Sequence, residues 1–421
     1  MPARVKPPRD PVEISHDGDR VVAERGEPLA HALIAANRLP LARSPKLHRP
    51  RGPYCLRGGC DGCLARVDGE PNVMTCLRPA RGGEQIETQN VLGTRGVDAL
   101  RAADFLFPRG IDHHRLFAGI RGVSSIVQSF ARRVAGLGTL PDTSEAAKDA
   151  VRRELDVLVI GGGAAGLRAL ADLPGCPVLV DDGPALGGRQ RALNPDRGRE
   201  LVARASARGA ELSAETTAIA LFREPERGDG RLHAVALGPD GATLFVARAV
   251  ILASGRHAPV VAFGENDLPG IYSATAALTL WRGGISLGKR VALLGEGAAE
   301  DAFCSALDGH AEVLRVRATD VVRSAGRSRV SGIVLRSAEG ERRERVDAIV
   351  VGGPGSPAAE LAVQAGASLE FDALEGYRLR AEEGGVLGPG LYGTGSVIGA
   401  KDSAASGAAT AARVRRDLGL G

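Results

Sequence analysis

The stretch DVLVIGGGAAGL, residues 156–167, decides the fold around it. It is an apolar run that breaks into the pattern Gly-x-Gly-x-x-Gly and continues with helix formers, which predicts a buried strand, a tight turn and a helix. Gly161 permits the turn, Gly163 lets the backbone approach a pyrophosphate, and Gly166 lets the helix pack closely on the strand. Because the helix N-terminus offers unpaired N–H groups, the stretch predicts a dinucleotide or nucleotide site. A glycine-rich turn in an unliganded α/β fold is the alternative.

An acidic pair follows at the distance expected for a ribose contact. The next apolar run, residues 177–180, predicts a second strand, and it ends in Asp181 and Asp182. In dinucleotide-binding folds an acid roughly 20 residues after the glycines binds the ribose hydroxyls. The acid therefore strengthens the prediction of a nucleotide site.

The composition limits the number of domains and the kinds of partner. A chain of 421 residues predicts two or three domains. A net charge of +4, well-spread basic residues and 3% aromatic residues argue against binding to nucleic acid. No apolar run approaches the roughly 20 residues of a membrane span, and the N-terminus lacks the apolar core of a signal peptide. We therefore expect a cytoplasmic protein without a transmembrane segment.

Four of the six cysteines are clustered near the N-terminus. Cys55, Cys60, Cys63 and Cys76 begin with the spacing Cys-x4-Cys-x2-Cys, which is typical of plant-type ferredoxins. The glycines at positions 58, 59 and 62 would let the loop wrap a cluster and point N–H groups at its sulfurs. Structural zinc is the alternative, but it usually shows two close pairs of cysteines. The spacing therefore predicts a [2Fe–2S] cluster in a reducing compartment.

The residues around these cysteines resemble a known family. Residues 11–42 predict two short strands and a helix. Residues 44–52, the cysteine run and residues 67–72 resemble the ferredoxin-like N-terminal domain of the heterotetrameric sarcosine oxidase α subunit. The same family includes hydrogen cyanide synthase and multi-subunit proline dehydrogenases. The sarcosine oxidases generally lack the cysteines, so their presence points to the dehydrogenase branch. The resemblance covers essentially the whole chain and stops before the folate-binding region of the sarcosine oxidase α subunit.

The resemblance implies an electron-transfer, cofactor-binding oxidoreductase subunit of a multi-subunit amine or amino-acid dehydrogenase. A partner flavoprotein of the D-amino-acid-oxidase type would bind the amine or amino-acid substrate and oxidise its C–N bond. Electrons would pass through the [2Fe–2S] cluster and a flavin to a quinone or another acceptor. Such a subunit would be active only with its partner, and either cytoplasmic or peripheral to the inner membrane through its partners. We assign no catalytic residue to this chain.

From residue 156 the chain resembles flavoproteins of the disulfide-reductase superfamily, which have two Rossmann-like domains. Residues 186–190 match the loop after the ribose acid, residues 249–255 resemble the second flavin motif, and residues 391–396 return to the first domain. Ser396 stands where FAD-binding members commonly have Asp, so NAD, ATP or ADP is the alternative to FAD in this pocket. FMN at a subunit interface is a further option. The predicted cofactor-binding residues are Gly161, Gly163, Ala164, Ala165, Gly166, Asp181, Asp182, Gly183, Gly188, Arg189, Gln190, Ser254, Gly255, Gly395 and Ser396.

A weaker copy of the glycine pattern begins at residue 289. Gly295 and Gly297 keep the first two glycines, but Glu300 replaces the third. A carboxylate there would crowd the contact between helix and strand and repel a pyrophosphate. The next predicted strand ends near Arg315 and Arg317, which could favour a 2′-phosphate. We expect a retained fold without nucleotide, with NAD(P)H binding as the alternative.

These motifs predict an α/β chain of three parts joined by a linker. The predicted parts are a ferredoxin-like (β-grasp) α+β domain over 1–95, a linker over 96–154, a discontinuous FAD-binding Rossmann domain over 155–284 and 385–421, and an inserted NAD-like, degenerate Rossmann domain over 285–384. Within them we expect a helix-prone link at 146–155, helices at 191–210 and 404–418, and meanders at 211–248 and 319–346.

Two pairs of residues are interpreted as structural. Cys176 and Cys304 do not form a Cys-x-x-Cys motif, so no redox disulfide is predicted, and we expect both to be buried as small apolar residues. His113 and His114 have no Cys, Asp or Glu partner at metal-binding spacing, so we expect packing or interface roles.

Two other functions remain open from the sequence. A stand-alone NAD(P)H-dependent flavoprotein ferredoxin reductase would use the second Rossmann-like domain, and Glu300 argues against it. A structural or assembly subunit would carry a nucleotide with no redox role.

Overall fold

The computed structural model describes residues 1–44, 49–91, 149–223, 230–373 and 376–421. The chain divides into two compact units, one of residues 1–144 and 260–353 and the other of residues 145–259 and 354–421. His113, His114, residues 224–229 of the predicted meander and most of the predicted linker lie outside the described residues.

The first unit begins with a small sheet that carries one helix. Its elements are β1 Ala3–Arg4, β2 Pro11–His16, β3 Asp19–Glu24, α1 Leu29–Ala35, β4 Ala42–Arg43, β5 Pro50–Arg51, β6 Leu64–Val67, β7 Glu70–Met74 and β8 Gln85–Glu87. The sheet has the order β3-β2-β8-β6-β7, with β2 and β8 parallel and the other pairs antiparallel. Alternating burial along β2 and β6 gives the sheet one core-facing side. This arrangement is the predicted β-grasp domain.

The second part of this unit is a parallel sheet followed by a meander. Its elements are β15 Ile271–Ser273, α5 Ala274–Arg282, β16 Ile285–Ser286, β17 Arg290–Leu294, α6 Ala298–Leu307, β18 Glu312–Val316, β19 Val321–Gly326, β20 Val330–Ser337, β21 Gly340–Glu344 and β22 Ala348–Val351. The parallel sheet has the order β15-β22-β17-β18, and the meander has the order β19-β20-β21. Strand β1 pairs with β16, so the N-terminus joins the two parts of this unit.

The other unit carries the stretch that opened the sequence analysis. Its elements are β9 Val151–Ile160, α2 Ala164–Asp172, β10 Val178–Val180, α3 Gln190–Leu193, α4 Pro195–Ser206, β11 Glu211–Ser213, β12 Thr217–Arg223, β13 Leu232–Gly238, β14 Gly241–Leu252, α7 Glu360–Gln364, β23 Leu369–Asp372, β24 Gly376–Leu379, β25 Val386–Gly388, β26 Leu391–Gly393 and α8 Ser403–Leu418. Helix α4 begins with Pro at its first turn and with the Asn194 side chain accepting a hydrogen bond from the amide of Arg197.

The long strand β14 gives this sheet two regions. Its first half pairs with β13 in the antiparallel meander, and its last residues pair with β26 in parallel. Residues 243–252 of β14 also pair in parallel with β9, which in turn pairs with β10. The carboxyl ends of β10, β9, β14 and β26 therefore lie at one edge of the sheet, where ligands bind in open α/β folds.

The predicted fold class is confirmed, whereas two local expectations differ from the structure. Residues 151–155 are strand, not helix, because β9 extends backwards to pair with residues 243–247 of β14. Strand β15 pairs with β22 of the second Rossmann-like sheet, although we placed it in the first Rossmann domain. The compact units likewise divide at 259/260 and 353/354 instead of at the predicted limits 284/285 and 384/385.

Candidate functional site

The four clustered cysteines lie together in the loop that precedes β6 and in the turn after β7. Their thiol groups form two neighbouring pairs, Cys55 with Cys60 and Cys63 with Cys76, each in hydrogen-bonding contact. Cys55, Cys63 and Cys76 are each 1% exposed, whereas Cys60 is partly exposed. Among the residues that the structure describes, no three His, Cys, Asp or Glu side chains surround one point as the ligands of a single ion would. Two pairs of sulfurs suit the four thiolates of a two-iron cluster.

Backbone amides of the loop point at these sulfurs, as the glycine content predicts. The amide of Gly58 donates to Cys76 Sγ at 3.3 Å, and the amide of Arg57 donates to Cys55 Sγ at 3.4 Å. The hydrogen bond with Cys55 is the main cause that lowers the pKa of Cys60 to about 6. The hydrogen bond with Cys76 likewise lowers the pKa of Cys63. The same two hydrogen bonds, together with burial, raise the pKa of Cys55 and of Cys76. One sulfur of each pair therefore favours the thiolate, the form that binds iron.

Ion pairs with residues far away in the sequence hold the segment that precedes Cys55. Arg49 donates to both carboxylate oxygens of Asp267 at 2.8 Å and also contacts Glu265. Arg51 donates to the same Asp267 at 2.9 Å. Sequence analysis missed this contact, although the Arg-x-Arg and Glu-x-Asp spacings match and could have suggested it.

Uncharged contacts hold the same segment. The backbone oxygen of Tyr54 accepts a hydrogen bond from the amide of Ser273 at 3.1 Å. The Tyr54 side chain packs against the core of the second Rossmann-like sheet. Burial raises the pKa of this phenol. A Cβ atom at Gly52 would lie 2.8 Å from the Pro269 side chain, so only glycine fits this contact. We call the contacts of residues 49–54 with residues 265–273 the cluster clamp.

The three glycines of the first turn each have the environment that their predicted role requires. Gly161 has φ +111°, and a Cβ there would collide with the backbone oxygen of Ala253. A Cβ at Gly166 would collide with the backbone oxygen of Gly161, so the helix packs directly on the turn. A Cβ at Gly163 would meet no atom within 4 Å. The space above Gly163 is therefore open at the N-terminus of α2, where a pyrophosphate would bind.

The predicted ribose acid lies beside this turn. Asp181 accepts hydrogen bonds from the amides of Gly162 at 2.6 Å and Gly183 at 3.0 Å. Burial raises the pKa of Asp181, while the two amide hydrogen bonds act in the opposite direction. Asp182 is exposed. Asp181 is therefore the acid in contact with the glycine-rich turn.

The other predicted residues come to the same edge of the sheet. The amide of Gly187 donates to Gly162 at 2.8 Å, and a Cβ at Gly188 would lie 2.9 Å from the Cα of Gly163. Arg189 and Gln190 stand at the start of α3. On the opposite side, a Cβ at Gly395 would lie 2.6 Å from that of Ala165.

The second flavin motif meets the returning chain at this edge. A Cβ at Gly255 would lie 3.6 Å from Ser396 Oγ, and the Ser254 hydroxyl donates to the backbone oxygen of Ala358 at 2.7 Å. The residues present are an open turn, a partly buried acid and small residues around them, and they fit an adenine dinucleotide.

The second glycine pattern has a different geometry. Glu300 is 4% exposed, and its carboxylate accepts a hydrogen bond from the amide of Gly353 at 2.9 Å. A Cβ at Gly297 would lie 2.7 Å from Glu300 Oε2, and one at Gly352 would collide with Oε1. The carboxylate thus fills the space that stays open above Gly163 in the first turn. These residues do not fit a pyrophosphate.

The arginines suggested for a 2′-phosphate contact acids instead. Arg317 forms an ion pair with Asp320 at 2.8 Å, and Arg315 lies 3.5 Å from Asp301. Cys304 is partly buried, but Cys176 is exposed, so its predicted burial is wrong. Cys176 follows Gly175 in the turn between α2 and β10, where the chain passes over the surface.

Comparisons with known proteins bear on both parts of the chain. Residues 9–91 match the family described as 2Fe-2S iron-sulfur cluster binding domain. The chain is similar to the sarcosine oxidase subunit alpha of Rhizobium meliloti, with 26% identity over 97% of this chain and 46% of that subunit. The corresponding subunit of Corynebacterium sp. strain P-1 is 27% identical over 80% of this chain and 34% of its own length. The resemblance found from the sequence is confirmed, and the chain spans less than half the length of these relatives.

Solved structures share the fold. The L-proline dehydrogenase from P. horikoshii superposes with a TM-score of 0.75 at 20% identity, covering 100% of this chain and 76% of that one. The thioredoxin reductase of Lactococcus lactis has a TM-score of 0.50 at 14% identity and covers 62% of this chain and 98% of its own. These likenesses support an N-terminal ferredoxin-like domain joined to Rossmann-like domains of the disulfide-reductase type.

Within the described ranges, no helix combines the length and apolar character needed to cross a bilayer.

Proposed function

We propose that the chain is the electron-transfer, cofactor-binding subunit of a multi-subunit amine or amino-acid dehydrogenase. The observation that carries the proposal is the pairing of four cysteine sulfurs inside a segment that matches a 2Fe-2S domain. Cys55, Cys60, Cys63 and Cys76 would hold the cluster, which supplies one-electron transfer when bound. The amides of Gly58 and Arg57 stabilise charge on the sulfurs. Cys60, the partly exposed ligand, marks the side from which a redox partner would approach.

The first Rossmann-like domain would bind FAD or another adenine dinucleotide. Gly163 and the N-terminus of α2 would receive the pyrophosphate, and Asp181 would accept hydrogen bonds from the ribose hydroxyls. A carboxylate at this position also disfavours a 2′-phosphate, because the two negative charges would repel. The protein contributes binding and electrostatics here, and the redox chemistry belongs to the cofactor.

The names of the relatives suggest the reaction and the partner. Because they are a sarcosine oxidase subunit and an L-proline dehydrogenase, we infer a secondary or primary amine of amino-acid type as substrate. The substrate would bind to a partner flavoprotein of the D-amino-acid-oxidase type, and a quinone or another acceptor would take the electrons.

A visible spectrum of the anaerobically purified chain, with chromatography of the released cofactors, tests this proposal. We expect the absorption of a [2Fe–2S] centre together with released FAD. A cluster with NAD, ADP or ATP but no flavin would make the first nucleotide site structural. Absence of iron after anaerobic reconstitution would contradict the cluster assignment.

A stand-alone NAD(P)H-dependent ferredoxin reductase is the second candidate. It would need a nucleotide at Gly295 and Gly297, and the Glu300 carboxylate fills that space. Rapid bleaching of the visible absorption by NADH or NADPH alone would favour this candidate over the dehydrogenase subunit.

A further inference from the structure

A cavity of about 690 Å³ opens beside the meander β19-β20-β21. Its volume lies within the range of small-molecule sites. None of its residues belongs to the cysteine loop or to either glycine-rich turn. Its lining residues are Glu265, Arg323, Ser324, Ala325, Gly326, Arg327, Ser331 and Arg343.

The strand register explains the shape and charge of this cavity. Arg323 of β19 and Arg343 of β21 are both paired with Val334 of the central strand β20. Residues directly opposite in a sheet project to the same face, so both guanidinium groups rise on one side, separated by the width of a strand. Two residues further along β19, Ala325 pairs with Gly332 of β20, and these small residues leave the space beside the arginines unfilled.

The three arginines of the cavity lack counter-charges. Arg323, Arg327 and Arg343 are exposed and form no ion pair with any residue that the structure describes. Glu265, the carboxylate in the lining, is already engaged by Arg49. Three positive side chains that share one concave surface repel one another and raise the local concentration of anions. We call this surface the arginine basin.

We propose that the arginine basin binds a small phosphorylated molecule through a phosphate or pyrophosphate group. Guanidinium groups donate paired hydrogen bonds that match the geometry of phosphate oxygens. Three cations around one concavity favour a group with at least two negative charges over a monocarboxylate. The serine hydroxyls at the rim donate elsewhere, Ser324 to the backbone oxygen of Glu265 at 2.6 Å and Ser331 to that of Ala325 at 3.3 Å. Recognition therefore rests on the arginines.

Calorimetric titration of the full-length chain with inorganic pyrophosphate at low salt tests the proposal. The test variant is the double substitution Arg323→Gln and Arg343→Gln. The matched control is Arg336→Gln, which removes one exposed charge from the central strand β20 of the same meander, outside the cavity. We expect pyrophosphate binding to weaken at least about tenfold in the double variant and to stay within about twofold of wild type in the control.

The outcomes distinguish binding at the arginine basin from binding at another site and from non-specific attraction. Unchanged affinity in the double variant would overturn the proposal, because the anion would then bind elsewhere, for example at the turn of Gly163. Equal weakening in the control would mean non-specific attraction to a basic surface and would also overturn it. Tighter binding of citrate than of pyrophosphate would replace the phosphate assignment with a polycarboxylate. Equal thermal midpoints of all variants would show that the losses do not come from unfolding.

Discussion

At the scale of single residues, a substitution of Gly163 should impair cofactor binding without preventing the chain from folding. Its backbone angles, φ −80° and ψ −175°, are open to any residue, and the space around its missing side chain is empty. We expect Gly163→Val to fold with a penalty of about 1 kcal/mol at the helix N-cap. The valine side chain would, however, occupy the place of the pyrophosphate. Chromatography of the released cofactor should show at least a tenfold loss of bound nucleotide per chain.

Gly166→Ala is the contrasting variant in the same turn. Its Cβ would collide with the backbone oxygen of Gly161, so this substitution should destabilise the fold itself. A valine at position 163 that leaves the bound nucleotide unchanged would contradict the assignment of the first site.

Glu300 closes the second glycine-rich turn, and its removal should open it. Gly166 holds the corresponding place in the first turn. We expect Glu300→Gly to remove both the bulk and the negative charge from the space beside Gly297 and Gly352, at a cost of about 1 kcal/mol in helix stability. The variant should bind NADH or NADPH in a fluorescence titration under conditions where the wild type shows no binding at this site.

Glu296→Gln provides the matched control. Glu296 is exposed in the same loop, so its substitution removes one negative charge without opening the turn. Equal gains in both variants would mean that charge alone excludes the nucleotide. Tight NAD(P)H binding that persists in the Gly163→Val variant, in which Glu300 is retained, would contradict the closed geometry of the second turn.

At the scale of elements, short-range patterns could be predicted from the sequence, and contacts between distant segments could not. The glycine turns and the cysteine loop depend on spacings of a few residues, so their predicted elements appear in the structure. In the sequence, strand β15 is an ordinary apolar run. Only its pairing with β22, in which Ile271 lies opposite Ile349, places it in the second Rossmann-like sheet. The extension of β9 over 151–155 likewise depends on β14, about 90 residues later.

The position of the Glu300 carboxylate likewise depends on contacts with a distant segment that the sequence could not predict. The sequence predicted interference with a pyrophosphate, but the carboxylate lies near Gly352 and Gly353, which follow strand β22 and are about 50 residues away. The cluster clamp is a longer-range case, since Arg49 and Asp267 are 218 residues apart. Such contacts follow from the packing of whole elements.

The cluster clamp leads to a prediction about the stability of the iron–sulfur centre. Asp267 receives both Arg49 and Arg51, so Asp267→Asn should loosen residues 49–54 just before Cys55. Paired, partly buried ion pairs contribute more than the roughly 0.2–1 kcal/mol of exposed ones. We expect the visible absorption of the cluster to decay several-fold faster under a chelator. Asp320→Asn, which breaks an ion pair with Arg317 elsewhere in the same unit, should leave the decay rate unchanged.

A clamp that acts only through general stability would give a different result. In that case Asp267→Asn would lower the thermal midpoint of the chain without changing the rate of cluster loss at a temperature where the chain is folded. Equal cluster lifetimes in the wild type and in Asp267→Asn would contradict a role for the cluster clamp in stabilising the iron–sulfur centre.

At the scale of the whole molecule, the two compact units divide the predicted redox sites between them. The cysteine loop and the closed glycine turn belong to one unit, and the open nucleotide site belongs to the other. The chain matches less than half of the sarcosine oxidase subunits that resemble it, and we assigned no general base for amine oxidation. The proposed function assigns electron transfer to this chain and substrate oxidation to a partner flavoprotein.

Dependence on a partner can be measured through the visible absorption of the cluster under anaerobic conditions. With sarcosine or L-proline as probe substrates, we expect no bleaching of the isolated chain, because the proposed function places amine oxidation on the partner flavoprotein. Addition of the proposed partner flavoprotein should cause bleaching with the amine that the complex accepts. A Cys63→Ser chain without cluster serves as the control and should bind the same partner without this absorption change. Bleaching of the isolated chain by an amine would place substrate oxidation in this chain, and bleaching by NADH alone would identify a reductase.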